Sequence, residues 1–401
     1  MYKVVALVLG SMLFQRLGWM PQNYLSVFLR GAVAFFAVIA GGMLLERGGL
    51  LRKPLDRLLG RDAEPPKPEE GMPYKFFDVR VADQGTLVCP MEAKRLMDHL
   101  EQTSAEPVTV VVYVHGWQHN VKSPQRMRFE ALLAKLVTDR PETSPNRIVG
   151  VYLSWTGQTF LSVFKTVSFW DRQETLSDIA QGGVREVLER LRVWRYGLNA
   201  ALPAAAATPP HVSRLLVVIG HSFGGAIVFR ALSQSFFGIV ADGRALRPPA
   251  DTVLLINPAL PAYSYLPLHE MITQHYLPAA MPDEEAHRFR FLAVTAKNDK
   301  AVGLSFPIAS IDRLYSRKAV GPLGKQARLR GLGFVDAFRT GRLSLVDGNP
   351  VLQAMPGHQD NELFQIVSAS SDIVDGHNGI DKQTFINWVC DTIRSDEPGA
   401  P

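Results

Sequence analysis

The chain has 401 residues, 47% of them hydrophobic and 20% charged, which is the balance of a globular protein with a core large enough for one big domain or two small ones. Its formal charge of +5 sits in the first 62 residues, where Lys3, Arg16, Arg30, Arg47, Arg52, Lys53, Arg57 and Arg61 face only Glu46, Asp56 and Asp62. The remainder is formally neutral, so a nucleic-acid partner loses its electrostatic support. Cys89 and Cys390 stand alone, without a CxxC or metal-ligand spacing, and read as buried apolar thiols.

Residues 4–14 and 31–45 are apolar, each run alone short of the roughly 20 residues that span a bilayer. Extending the second back to Tyr24 gives an adequate length if Arg30 snorkels or faces a partner helix. Trp19, Pro21 and Tyr24 read as an interfacial turn. These features predict that residues 1–62 are a membrane anchor, either a helical hairpin or one span preceded by an interfacial helix. The basic cluster Arg47–Arg61 would hold its end on the cytoplasmic side, as in a bacterial-type inner membrane. Two alternatives stand: a cleaved export signal if translation starts at Met20, and a hydrophobic helix packed on the globular part. Residues 63–73 are proline-rich and charged, a semi-rigid linker.

From residue 74 the pattern becomes one of short apolar strands alternating with helical periods. Strands are predicted at Tyr74–Val81, Thr86–Val88, Val108–Val114, Ile148–Trp155, Leu215–Ile219, Thr252–Ile256, Phe289–Thr295 and Leu363–Val367. Helices are predicted over Arg126–Val137, from Leu176 to Trp194, after Ser222 through Leu232, between the strands at 252 and 289, and at the C-terminus on Phe385, Ile386, Val389 and Ile393. Gly182-Gly183 inside the second helix predicts close approach to another backbone. Such alternation implies an α/β domain over 74–401 with a mostly parallel sheet. Residues 300–342 hold nine basic residues against Asp312 and Asp336, and 300–358 reads as a lid or cap insertion. That stretch could face anionic headgroups, or be a solvated, salt-bridged surface. Pro261–Pro282 is the other candidate wall for a substrate pocket.

In a parallel sheet the functional groups gather at the C-terminal strand ends. Those ends carry His115-Gly116-Trp117, Ser222, Asp299 and His377. Ser222 lies in Gly220-His221-Ser222-Phe223-Gly224, between five apolar residues and a helical pattern, where small residues on either side let a sharp strand-to-helix turn form. Ser, Asp and His in that order after successive strands resemble the α/β-hydrolase superfamily, in its serine esterase and lipase branch, over about residues 74–395.

The resemblance implies an α/β-hydrolase fold, preceded here by N-terminal hydrophobic helices. It also implies an acyl-enzyme mechanism without metal or organic cofactor. Ser222 would be the nucleophile, His377 the general base and then acid, and Asp299 the group that orients the imidazole. The backbone N–H groups of Phe223 and Trp117 would bind the oxyanion, with His115, Gly116 and His221 flanking the substrate. Rival readings remain at single positions. His358 is the reserve base, and Asp372 and Asp375 compete with Asp299. His115 can brace its loop, and His221 can be structural. His119, four residues beyond His115 in a loop, makes a poor zinc pair. Trp117 stands where some lipases carry a small residue. The expected substrate is a lipid or other hydrophobic ester. Acyl transfer or thioester cleavage by the same groups is the alternative within enzymes, and a non-catalytic binding module is the alternative outside them.

Overall fold

The computed structural model describes residues 72–116, 124–140, 147–155, 175–197, 213–242, 247–275, 289–303, 321–356 and 363–397, all within the compact unit Pro65–Thr159 with Phe164–Pro401. The anchor expected at residues 1–62 lies outside the described residues, as do Trp117, His119 and His358.

Nine strands form one sheet: β1 (Lys75–Val81), β2 (Val108–Val114), β3 (Arg147–Trp155), β4 (Arg214–His221), β5 (Thr252–Ile256), β6 (Arg290–Ala296), β7 (Gly341–Val346), β8 (Asn349–Ala354) and β9 (Phe364–Ala369). Their spatial order is β1-β3-β2-β4-β5-β6-β9-β7-β8, and every pairing is parallel except β7 with β8. Strand β2, Val-Thr-Val-Val-Val-Tyr-Val, is buried at all seven positions, and β5 at all five. Branched side chains suit a pleated surface, and a run apolar on both faces is stable only with helices above and below.

Those helices are α1 (Pro90–Gln102), α2 (Pro124–Thr138), α3 (Arg185–Arg195), α4 (Phe223–Asp242), α5 (Ala262–His275), α6 (Gly321–Leu329) and α7 (Gln383–Arg394). The period of two in β2 divides them: Val110, Val112 and Val114 join the core under α1, α3, α4 and α5, while Val111 and Tyr113 join the core under α2 and α7. The protein is therefore of the α/β class, with a mostly parallel sheet between helical layers.

Helix α4 is apolar nearly all round, and Phe223–Ala241 is long and hydrophobic enough to cross a membrane. Two-thirds of that stretch (67%) is buried inside the domain, which makes it a core helix. Beneath it Phe236 meets Phe291 at 5.1 Å and Phe364 at 5.9 Å between ring centroids, both edge-on. Tyr265 of α5 joins this cluster through Phe229 and Phe338, so this part of the expected pocket wall is core.

Two stretches differ from the sequence reading. Thr86–Val88 forms no strand; Leu87 makes one bridge to Val81 before Cys89-Pro90 starts α1. Pro90 fits there because the first helical turn has no use for its missing N–H, and Ala93, Leu96 and Leu100 give α1 its buried stripe. The stretch 300–358 also differs. Residues 304–320 lie outside the described residues, but 341–354 is the hairpin β7–β8, which extends the sheet by pairing Gly341–Leu343 with Val367–Ala369. Its turn, Asp347-Gly348, has φ of 51° and 80°, the left-handed pair that a two-residue hairpin demands.

The approach expected of Gly182-Gly183 is to Gly85. Gly183 donates its N–H to the Gly85 carbonyl where the helix is interrupted by a π turn over Ala180–Val184. A Cβ on Gly182 would lie 2.2 Å from the Gly85 oxygen, and one on Gly85 would lie 2.2 Å from the Asp178 oxygen. Backbone cannot yield as a flexible side chain can. Gly182→Ala should therefore lower unfolding stability by about 2 kcal/mol or more, measured by urea titration; an unchanged midpoint would contradict the packing described.

Candidate active site

Strands β2 and β4 are neighbours, yet the chain leaves β2 towards β3 on one side and leaves β4 towards β5 on the other. That divergence opens a crevice at the C-terminal edge, where open α/β sheets bind their ligands. Ser222 follows β4 there with φ of 56°, in the left-handed region that non-glycine residues rarely occupy. Its N–H donates to the Ile256 carbonyl at 3.0 Å, and its own carbonyl accepts from Ala259 at 2.8 Å and Ala226 at 3.3 Å. The glycines around it are there for space. A Cβ on Gly224 would fall 2.0 Å from the Val114 oxygen, and one on Gly220 would fall 2.8 Å from Gly225. Phe223, expected to supply an oxyanion donor, opens α4 and is buried beside the turn. Gly116 lies against the serine, since a Cβ on it would be 3.0 Å from that of Ser222.

Two other strand ends deliver the partners. Asp299 follows β6 and is buried, its Oδ1 accepting the Val302 N–H at 3.0 Å. His377 follows β9 in a tight turn closed by a bridge between Asp375 and Gly379, with Gly376 at φ of 66°. The histidine Nδ1 lies 2.8 Å from Asp299 Oδ2, and its Nε2 lies 2.7 Å from Ser222 Oγ. With an ionised carboxylate accepting at Nδ1, the Nε2 lone pair faces the serine hydroxyl. The imidazole is 19% exposed and the serine residue 6%. The competing acids lie elsewhere: Asp375 accepts from Asn298 Nδ2 at 2.7 Å, and Asp372 is exposed.

The histidines placed beside the substrate from sequence are both enclosed. His115 is fully buried and stacked between Tyr152 and Trp155. Its Nε2 accepts the Trp155 N–H at 2.9 Å, and its Nδ1 lies 2.6 Å from the Gly116 carbonyl. Both of its ring nitrogens meet main chain. His221 is 1% exposed, with Gln125 on one ring nitrogen and the His377 carbonyl on the other.

The sequence reading passed over Asn257, Gln125 and Asn298. Asn257, at the end of β5 with φ of 44°, donates from Nδ2 to the carbonyls of His377 at 2.9 Å and Gly376 at 3.1 Å. Its Oδ1 accepts the Ala296 N–H at 2.8 Å. A polar residue closing a buried strand, followed by Pro258, was the signal available. Asn298 adds a second tie, accepting the Gly376 N–H at 2.8 Å. Among the described residues no cluster of His, Cys, Asp and Glu could hold a metal ion. An open groove of about 640 Å³, lined by Gly85, Leu87, Pro90, Gly182 and Glu189, lies between the segment after β1 and the π turn that leads into α3; Ser222 does not line it.

Fold and site together define an α/β protein with Ser, His and Asp side chains brought into hydrogen-bonding contact at the C-terminal edge of its sheet. No family model matches the chain, and no curated protein does. Among solved structures it is similar to phospholipase PlaB from Legionella pneumophila in complex with thio-NAD, with 15% identity over 72% of this chain and 59% of that one and a TM-score of 0.32. A second structure of phospholipase PlaB from the same organism gives 12% identity, 71% and 60% coverage and the same TM-score of 0.32. The chain thus spans about three-fifths of the length of those structures.

Asn257 gives a test, independent of activity, of the loop that carries His377. Asn257→Ala takes one donor from the His377 carbonyl, which keeps His221 Nε2, takes the side-chain donor from the Gly376 carbonyl and the side-chain acceptor from the Ala296 N–H, and keeps a side chain at positive φ. It should cost about 2–4 kcal/mol in urea unfolding. Asn257→Gly relieves the backbone and not the hydrogen bonds, so it should recover only part of that loss.

Proposed function

We propose that the protein is a serine hydrolase of the α/β-hydrolase type that cleaves carboxylic esters through an acyl-enzyme. The observation that supports this most directly is the pair of contacts on His377, to Ser222 Oγ at 2.7 Å and to Asp299 Oδ2 at 2.8 Å. A serine hydroxyl is a weak nucleophile at neutral pH and needs a base within hydrogen-bond reach.

In this reading His377 takes the Ser222 proton as Oγ attacks the ester carbonyl carbon. The imidazolium that forms is stabilised by Asp299, and the carbonyl oxygen becomes an oxyanion. The backbone N–H groups of Phe223 and Trp117 are the proposed donors to it, each typically worth about 3 kcal/mol in the transition state. His377 then gives its proton to the departing alkoxide, which leaves as the alcohol. Water, deprotonated by the same imidazole, attacks the acyl-enzyme; the carboxylic acid leaves and Ser222 regains its proton. His115 and His221 serve this scheme as braces of the main chain, and Gly116 lets the loop pass beside the nucleophile. Hydrophobic esters, lipids included, are the proposed substrates, because an anchor at residues 1–62 would hold the site beside a membrane on its cytoplasmic face.

A fluorophosphonate probe should label the full-length protein at Ser222, and p-nitrophenyl esters should be hydrolysed. Ser222→Ala should abolish both. His377→Ala and Asp299→Asn should lower kcat by about 10⁴-fold or more in a folded protein, by analogy with other Ser–His–Asp enzymes. No labelling of wild type, or equal labelling of Ser222→Ala, would favour a non-catalytic module.

The anchor has its own readout. Removing residues 1–62 should move the protein from the membrane fraction to the soluble one; continued sedimentation with membranes would overturn that assignment.

A further inference from the structure

We propose that Gln125 is a positioning residue for this reaction: it fixes His221 as a neutral imidazole protonated on Nε2, which holds the main chain of the general base. The proposal rests on the serine-hydrolase reading above and adds to it a residue outside the Ser–His–Asp set.

The geometry is a closed run of hydrogen bonds. Gly116 N–H points to Gln125 Oε1 at 3.0 Å, Gln125 Nε2 lies 2.7 Å from His221 Nδ1, and His221 Nε2 lies 3.0 Å from the His377 carbonyl. A backbone N–H only donates, so the amide oxygen must face Gly116 and the amide nitrogen must face His221. That nitrogen only donates as well, so Nδ1 of His221 must accept and carries no proton. The proton of a neutral ring is then on Nε2, directed at a carbonyl that only accepts. The backbone groups at the two ends thus set every proton between them. A second proton on His221 would set Nδ1–H against the amide N–H, with both groups buried, a desolvated clash.

Gln125 is itself held from behind. The next residue, Arg126, is bonded to Asp78 at 3.1 Å and Glu130 at 2.9 Å, and its guanidinium lies over the Phe76 ring at 4.7 Å. Burial pushes the Asp78 carboxyl up, opposed by the Ser154 hydroxyl and by Arg126. The first turn of α2 therefore has a fixed place against β1 and β3.

Two consequences bear on catalysis. The His377 carbonyl accepts from both His221 Nε2 and Asn257 Nδ2, at 3.0 and 2.9 Å, so the base is tied to β4 and β5 together. The rings of His221 and His377 are 5.3 Å apart between centroids, and a neutral His221 adds no positive charge beside the catalytic imidazole when it takes up the serine proton. Gly116 is gripped at its N–H by Gln125 and at its carbonyl by His115, so the same run reaches the turn after β2.

The test is imidazole ¹⁵N spectroscopy of the full chain with labelled histidine, the His221 signals being assigned by their loss in His221→Asn. At neutral pH the wild type should show His221 neutral with the proton on Nε2; a proton on Nδ1, alone or with Nε2, overturns the proposal without any variant. Gln125→Glu keeps an oxygen for Gly116 but offers an acceptor to Nδ1. It should convert His221 to the doubly protonated ring and lower kcat at least about tenfold, with KM changed less than about twofold. Wild-type kcat in that variant, with Ser222 still labelled by fluorophosphonate, would end this inference and leave the serine-hydrolase reading standing. Failure of the wild type to label or turn over would end that reading instead.

Discussion

The left-handed backbone at Ser222 is the constraint on which the rest of the site depends. A non-glycine residue there costs on the order of 1–3 kcal/mol and persists only where its surroundings over-determine it. Here Ile256 takes the serine N–H, while Ala226 and Ala259 donate to its carbonyl. That holds the turn between its own helix and the neighbouring strand. The sheet behind supplies the rigidity: β4 is buried from Leu215 to His221, and β2 and β5 flank it along their lengths in parallel register. Gly224 is required because α4 must start within van der Waals reach of the Val114 carbonyl. The strain is local, and the packing that bears it is spread over three strands and a helix.

Burial also explains why the three side chains meet although Ser222 and His377 are 155 positions apart. Parallel pairing sends β4, β5, β6 and β9 out of the sheet in one direction, so each following turn lands on the same edge. What parallel pairing does not set is the last few ångströms. Those come from short polar ties: Val302 N–H on Asp299, Asn298 on the Gly376 N–H, and Asn257 and His221 on the His377 carbonyl. Buried polar groups of this kind are stable only when each is satisfied, which gives the edge a single arrangement.

How much of this was legible from residues alone follows the same division. Strands buried on both faces announce themselves, and Val108–Val114 and Thr252–Ile256 are bounded in the structure as in the sequence. The order of Ser222, Asp299 and His377 after successive strands was readable because strand ends are few. The polar ties were not. Gln125 sits in the first turn of a helix, and nothing in its neighbours tells that its side chain crosses to β4; that depends on how α2 lies on the sheet. Helix α1 was hidden because its apolar stripe is short, Ala93, Leu96 and Leu100, and follows a turn that reads as a hairpin. The hairpin β7–β8 does carry a signal, the turn dipeptide Asp347-Gly348 after Leu343, Leu345 and Val346, but the basic residues before it read as a lid.

Asn257 shows why local patterns undervalue such residues. It is the second non-glycine residue at positive φ on this edge, at the end of the strand beside that of Ser222. The two share a device: the strand stops, the backbone turns left-handed, and the freed N–H donates across to the next strand, Ser222 to Ile256 and Asn257 to Val294. In one case the turn lifts a hydroxyl out of the sheet, and in the other it aims an amide at the loop that carries the imidazole. Asparagine is among the side chains that enter this region most readily, and it brings a donor and an acceptor where both Gly376–His377 and Ala296 need them. Conformation and hydrogen bonding therefore select the same residue at position 257. A substitution that meets only one of the two requirements separates them.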